Sequence, residues 1–311
     1  MDLMTDIFQQ AGLRRRVLGP HRVAAGVALR FPCSKSMGLH VVTQGPLHLH
    51  APDLPQPLRL VRGDIAFMAR GCDHALAVPD TLHDLALATI GTAADGVPQP
   101  QPGDAAAMSG AYQLWNEPLH PFLQALPGWF VLRADDVQPL GPLGLVLGLL
   151  TAEAGRDEPG SATVLNGLFD VVFTYVLREL MARHQGAGWG PAVRDAAVHR
   201  ALACLHAELD HPWTLDSLAA ACGLSRTGLA ERFRTAVGDT PLAYLRTLRM
   251  QKAMQLLSET TQPLDVVAQA VGYQDAFSFS KVFKREAGVS PRDFRRQDAA
   301  DRMLPWRFRS A

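Results

Sequence analysis

The chain has little to cross-link it and nothing to anchor it. Its four cysteines, Cys33, Cys72, Cys204 and Cys222, show no CxxC pairing. That spread argues against a disulfide scaffold and fits a reducing compartment. No apolar run reaches the length of a membrane span; the longest, Leu140 to Leu150, is short and interrupted by Gly and Pro. The opening MDLMTDIFQQAGLRRR puts acids ahead of basic residues and lacks an apolar central segment, so no secretion signal is expected and the expected location is cytoplasmic. Net charge is also missing, with 30 Lys and Arg against 30 Asp and Glu. The balance hides an asymmetry. Residues 196–311 hold 16 basic and 12 acidic side chains, a surplus of +4 that the first 195 residues offset. A polyanionic partner is therefore expected at the C-terminal end.

The 311 residues suffice for two domains. Residues 20–90 read as β-structure, because short apolar segments such as LHVVTQG, PLHLHAP and HDLALATIG alternate with Gly, Pro and Asp. Gly91 to Gly110, poor in large apolar residues and rich in Pro and Gly, reads as a loop or linker. Helical periodicity follows in GPLGLVLGLLTAEAG and SATVLNGLFDVVFTYVLRELMARH. In the second segment Ser161 is the expected N-cap, and Val164, Leu165, Leu168, Val171, Val172, Tyr175, Val176, Glu179 and Leu180 track one face. His184 to Val193 reads as a second linker, and from Arg194 the pattern is one of short helices. The expected division is a front domain over 1–185, a linker over 186–195 and a helical domain over 196–300.

The helical domain contains a repeat. CGLSRTGLAERFRTAVGDTPLAYLR (222–246) and VGYQDAFSFSKVFKREAGVSPRDFR (271–295) align on Gly223 and Gly272. Before the glycine, Leu215, Leu218 and Ala219 face Leu264, Val267 and Ala268; beyond it, Phe233, Gly238 and Pro241 face Phe283, Gly288 and Pro291. The offset grows from 49 to 50, which implies one extra residue at the start of the second helix of the second copy. Each copy reads as a short helix, a glycine turn, a second helix capped by Ser225 or Asp275 and ended by Gly238 or Gly288, and a third helix begun by Pro241 or Pro291. Leu229 and Phe233, or Phe279, Val282 and Phe283, are the expected inward stripe. Units of this kind lay their second helix in a DNA major groove. The intervening PLAYLRTLRMQKAMQLL reads as one helix, roughly 26 Å long.

On these residues, LAAACGLSRTGLAERFRTAVGDTPLAYLRTLRMQKAMQLL and VAQAVGYQDAFSFSKVFKREAGVSPRDFR, the region Val198 to Gln297 resembles the DNA-binding domain of the AraC/XylS family. The resemblance implies binding to double-stranded promoter DNA and contact with RNA polymerase. With helix geometry it points to Arg226, Thr227, Ala230, Glu231 and Arg234 in the first unit and to Gln274, Asp275, Ala276, Ser278, Ser280, Lys281, Lys284 and Arg285 in the second. Arg226 suits a guanine edge, Glu231 a cytosine amino group, and Thr227 and Ala230 a thymine methyl. Arg234, Lys284 and Arg285 suit phosphates, which position without specifying.

GDIAFMARGCDH carries the spacing Gly63, Ala69, Arg70, Gly71, His74, which resembles the second motif of cupin β-barrels with Ala69 where Pro is usual. MGLHVVTQGPLHLH resembles the strand and turn around the first motif, closed by Gly45. Counted back from Gly45, the family's carboxylate position falls on Gly38 and its histidines near Pro32 and Ser34, so the metal set is missing and only His74 stands at a ligand position. His48 and His50 form an HxH pair on another strand. No metal or other cofactor is expected. More loosely, the whole front half resembles the cupin-type ligand-binding and dimerisation region of one AraC branch. That implies a barrel holding a small molecule or sensing a redox signal, with Phe31, His40, Phe67, Met68 and His74 as wall residues. Alternation allows at most one of Phe67 and Met68 to face the interior. Cys33 and Cys72 are the expected redox pair if there is one, since Cys72 near Arg70 and His74 is placed for a lowered thiol pKa.

The expected fold is α+β: a cupin-like barrel with dimerisation helices, then an all-α domain of two helix-turn-helix units. The expected function is a homodimeric DNA-binding regulator without enzymatic activity that responds to a small-molecule or redox signal. The alternative is a metal-dependent cupin enzyme with an accessory binding domain, which the missing ligands oppose.

Overall fold

The computed structural model describes residues 14–33, 36–90, 102–113, 126–154, 156, 158–183 and 195–302. The described residues form two compact units, one from within 14–113 and 127–180, the other from 126, 181–183 and 195–302.

The first unit is built on ten strands: β1 (Arg14–Val23), β2 (Val27–Pro32), β3 (Ser36–Gln44), β4 (Pro46–His50), β5 (Leu58–Val61), β6 (Ile65–Met68), β7 (Asp73–Ala77), β8 (Ala86–Thr89), β9 (Ala105–Gln113) and β10 (Trp129–Leu132). They make two five-stranded sheets, ordered β1-β9-β3-β6-β10 and β5-β4-β7-β2-β8. All ladders are antiparallel except β2 with β8. Each sheet keeps two edges among the described residues, so the expected closed barrel is an open pair of sheets; closure would need the edge strands of one sheet, β1 and β10, to pair with those of the other, β5 and β8. Alternation builds the core in β4, where Leu47 and Leu49 are buried between the half-exposed His48 and His50.

Strand β9 runs through the stretch expected to be a loop, from Ala105 onward; residues 91–101 lie outside the described part. It pairs with β1 on one side and β3 on the other. Its AAAMSGAYQ has almost none of the β-branched residues that signal strands, yet its small side chains are what the packing requires. A Cβ on Gly110 would lie 2.2 Å from the Phe169 ring. That ring belongs to α2 (Ser161–Arg183), which follows α1 (Pro142–Ala154). Phe169, Val172, Phe173, Val176, Leu177 and Leu180 are buried on α2, while Val164 and Val171 of the apolar stripe remain 47% and 39% exposed. Ser161 is the first residue of this helix and not its cap.

The second unit is all helical: α3 (Ala196–Ala207), α4 (Leu215–Cys222), α5 (Arg226–Val237), α6 (Pro241–Glu259), α7 (Leu264–Ala270), α8 (Ala276–Ala287) and α9 (Pro291–Arg302). The expected linker at 184–193 lies outside the described residues, and Asp195 caps α3. Helix α6 serves both units of the repeat. Tyr244 near its start meets Phe233 of α5, with ring centroids 5.7 Å apart. Met250, Ala253, Met254 and Leu257 join Val267, Ala268, Phe279, Phe283 and Phe294 in one cluster. No helix of the described residues is long and apolar enough to cross a membrane.

Candidate functional site

The two turns are built from the chemistry their residues allow. Thr214 and Ser217 close a reciprocal capping box at the start of α4. Gly223 and Gly272 adopt φ values of 69° and 76°, the left-handed region that glycine occupies without strain. Ser225 then caps α5 by accepting from the Gly228 N–H at 3.1 Å, and Asp275 caps α8 by accepting from the Ser278 N–H at 2.7 Å. Both second helices end on left-handed glycines, Gly238 and Gly288. The extra residue of the second copy lies in its turn, between Gly272 and the cap Asp275, and not at the start of the helix as its alignment suggested.

Leu229 and Phe233 on α5, and Phe279 and Phe283 on α8, are fully buried. The opposite faces are therefore presented to solvent. Arg226, Thr227, Glu231 and Arg234 are exposed on α5, with Ala230 half-buried. In the second unit Gln274, Asp275, Ser278, Lys281, Lys284 and Arg285 are exposed, with Ala276 and Ser280 half-buried. Hydrogen bonding separates these residues further. Asp275 spends both carboxylate oxygens on Ser278, which holds its pKa below the usual carboxylate value. The Ser280 hydroxyl donates to the Ala276 carbonyl. Arg226 pairs with Asp216 at 3.1 Å and Arg285 with Glu286 at 2.7 Å. The expected contacts thus differ in kind: Asp275, Ser278 and Ser280 shape the helix start, while Lys281 and Lys284 carry exposed cations beyond it.

One arginine, absent from the expected site, ties the two halves of the repeat together. Arg249 of α6 donates to the carbonyls of Leu209 and His211, both at 2.8 Å, and lies over the Tyr273 ring at 5.8 Å. A side chain at Gly272 would strike its guanidinium at 2.6 Å. The loop after α3 and the turn before α8 are thereby fixed to the same helix.

In the sheet unit, pairing decides which wall residues meet. His40 pairs with Ala66 and Ser109, and Gly38 with Met68, so these share one face of their sheet; Leu39, Phe67 and Gly110 share the other. Phe67 accordingly meets Phe173 of α2 with centroids 5.6 Å apart, away from the space between the sheets where it was expected. His40 faces His74 and Phe31 of the second sheet. The imidazole of His74 stacks on Phe31 with centroids 5.2 Å apart and a 3° interplanar angle.

The hydrogen bonds around these histidines select their tautomers. His74 Nδ1 lies 2.9 Å from the Cys72 carbonyl, which only accepts, so Nδ1 carries the proton and Nε2 is the acceptor. His40 Nε2 lies 2.8 Å from that atom and must donate. His40 Nδ1 then accepts from the Ser109 hydroxyl at 2.7 Å. With both rings neutral, every member of this chain is satisfied. Burial, with repulsion from His74 and His21, pushes His40 well below the usual histidine pKa, and burial lowers His74 to about 4. Phe31, His40 and His74 therefore come together, with Met68 at the margin through a 3.8 Å contact from the Cys72 thiol.

The thiols differ from expectation. Burial pushes Cys33 and Cys72 each up to about 12, and for Cys72 the nearby Asp53 adds to the rise. Arg70 is exposed and does not offset this. His48 and His50 lie against the carbonyls of Val78 and Pro79. Among the described residues no three His, Cys, Asp or Glu side chains are grouped so as to hold a metal ion.

Comparison with known proteins follows the same division. Residues 2–182 match the family model described as Cupin, and residues 218–297 match one described as Helix-turn-helix domain. HTH-type transcriptional regulator AlkR of Acinetobacter baylyi is 34% identical over 180 residues, which span 57% of this chain and 58% of AlkR. An AraC-like transcription regulator of Streptomyces lividans is 28% identical over 301 residues, spanning 95% of this chain and 98% of that protein. Among solved structures, the DNA-binding domain of AdpA in complex with a target DNA is 28% identical, covers 35% of this chain and 98% of its own, and superposes with a TM-score of 0.33.

Proposed function

The chain belongs to the AraC/XylS family of transcriptional regulators, with a cupin domain ahead of its two helix-turn-helix units, and from that premise we propose how it meets DNA and receives its signal. Helices α5 and α8 enter the major groove of double-stranded promoter DNA. Arg226, Thr227, Ala230 and Glu231 meet base edges from the first. Gln274, Ala276 and Lys281 do so from the second, while Arg234, Lys284 and Arg285 hold phosphates. Asp275, Ser278 and Ser280 act at the helix start. The observation that carries this reading is the matched pair of capped helices, each with a buried aromatic face and an exposed polar one. The protein works in the cytoplasm and contacts RNA polymerase there.

Dimerisation is assigned to the outer side of α1 and α2. Val164, Leu168, Val171 and Tyr175 recur at spacings of four, three and four, the seam of paired helices. Leu145 and Leu149 of α1 add 54% and 59% exposed apolar side chains. A homodimer covers this surface.

The signal enters between the sheets, at Phe31, His40, Met68 and His74. A small molecule that takes over one hydrogen bond of the Ser109–His40–His74 chain would change how the two sheets are joined, and a population shift would carry that change onward. The raised thiol pKa values of Cys33 and Cys72 favour such a ligand over direct thiolate oxidation. The enzyme alternative gains no support from the side chains present.

The test is selection of genomic fragments by the purified full chain, with and without a mild oxidant, repeated with Lys281→Ala. One enriched motif, bound several-fold more weakly by the variant, is expected, with little change on oxidation. No enrichment in either state overturns the DNA assignment. Unchanged affinity of the variant moves the contact surface off α8. A strong oxidant response returns the cysteines to the signalling role.

A further inference from the structure

Phe277 is 81% exposed, and it alone among the described phenylalanines is exposed. It is the second residue of α8, directly after the turn that Asp275 caps. Phe279 and Phe283 of the same helix are fully buried, so the domain core already has its aromatic anchors and Phe277 adds nothing to it. An uncovered phenyl ring on a monomer's surface forfeits its transfer free energy until something covers it.

Its neighbours indicate what that something is. Ser280 and Lys281 follow at i+3 and i+4, and Lys284 at i+7, which places the ring on the same stripe as two exposed cations. A protein partner for an apolar anchor would be expected to meet an apolar surround. A ring aligned with lysines instead matches a surface whose rim is anionic and whose floor carries isolated apolar groups. The DNA major groove is such a surface, and its apolar group is the C5 methyl of thymine, which Phe side chains contact. The first unit shows the same placement. Thr227 is the second residue of α5, is exposed, and also presents a methyl group.

Building on the DNA-binding reading of α8, we propose that Phe277 packs against the C5 methyl of a thymine beneath that helix, and so fixes one base pair of the half-site read by the second unit. The ring needs no hydrogen-bonding partner for this. It discriminates by burying a methyl that cytosine, guanine and adenine do not present there.

The experiment uses the full chain and the fragment recovered by genomic selection. Each thymine is replaced singly by deoxyuridine, which removes only the methyl, and affinity is read by fluorescence anisotropy for the wild type, Phe277→Ala, Phe277→Leu and Lys281→Ala. For the wild type, one replacement is expected to weaken binding about fourfold, the worth of one buried methyl. For Phe277→Ala the same replacement is expected to cost nothing, while penalties elsewhere persist, and Phe277→Leu is expected to fall between. Because the side chain is exposed, neither substitution disturbs the core. The proposal is overturned if no deoxyuridine position is sensitive, or if the sensitive position stays sensitive in Phe277→Ala. If Lys281→Ala weakens binding in that case, the DNA-binding reading of α8 stands and only the thymine contact fails. If Lys281→Ala and Phe277→Ala both bind as the wild type does, α8 is not in the groove and both readings fail together.

Discussion

A proton is costly at four histidines. Burial lowers His21, His74 and His206 to about 4, and burial with repulsion from His74 and His21 holds His40 well below its ordinary value. Each is neutral when folded at neutral pH, and each regains its ordinary pKa near 6.5 when unfolded. Between those values the unfolded chain binds more protons than the folded one, so stability falls as pH drops. Above about pH 7 neither state is protonated and the contribution is flat. Urea midpoints are therefore expected to hold between about pH 8 and 7 and to fall through pH 6 and 5. One such histidine accounts for on the order of 3 kcal/mol by pH 4. A midpoint that rises on acidification would mean that these rings are charged in the fold. The same residues show what the chain discloses at this scale. His74 stands out through its spacing from Gly63 and Gly71, but its partnership with His40 does not. That depends on Ser109, which lies in a stretch with no strand signal, and on a pairing register that no local pattern specifies.

At the scale of elements, the helical repeat is legible because its caps and turns are chemically local. Ser225, Asp275, Gly223, Gly272, Gly238 and Gly288 each act within a few residues of their place in the chain. Strand β9 is not legible, because tertiary packing chooses its residues. Gly110 is set by the ring of Phe169, some sixty residues later. The buried face of α2 is not legible for the same reason: the helix carries two apolar stripes, and only packing decides which is buried. The locality of the caps gives a prediction. Asp275→Ala removes both the backbone bond and the Ser278 bond at the start of α8. It should destabilise the helical unit, as the loss of an N-cap does. It should also weaken DNA binding beyond that loss of stability, since the first turn of α8 is the part proposed to meet the groove. Denaturation midpoints and binding isotherms on the same preparation separate the two effects. An unchanged midpoint would show that the helix start is held by other groups.

At the scale of the whole molecule, the helical unit has the means to stand alone. Asp195 caps α3 by accepting from the amides of Ala197 and Val198 at 2.9 and 3.2 Å, so the first helix needs nothing upstream to begin. At the far end Phe294 of α9 is buried in the second cluster, and Arg295 donates to the carbonyls of Leu257 and Gln262. The core around Phe279 and Phe283 is closed by residues of α6 to α9, and Arg249 joins the loop after α3 to the turn before α8. A fragment of these residues is expected to unfold in one cooperative transition and to bind the selected DNA. Arg234, Lys284 and Arg285 are the proposed phosphate ligands, and three such contacts give a slope of about −2.7 in log affinity against log salt. The full chain is expected to bind more tightly than the fragment, because the proposed dimer through α1 and α2 would bring a second domain to the same DNA. Equal affinity for fragment and full chain would remove the dimer from the binding mechanism while leaving the interface on α5 and α8 in place. A flat salt dependence would do the reverse, because it would take the exposed lysines and arginines away from the phosphates.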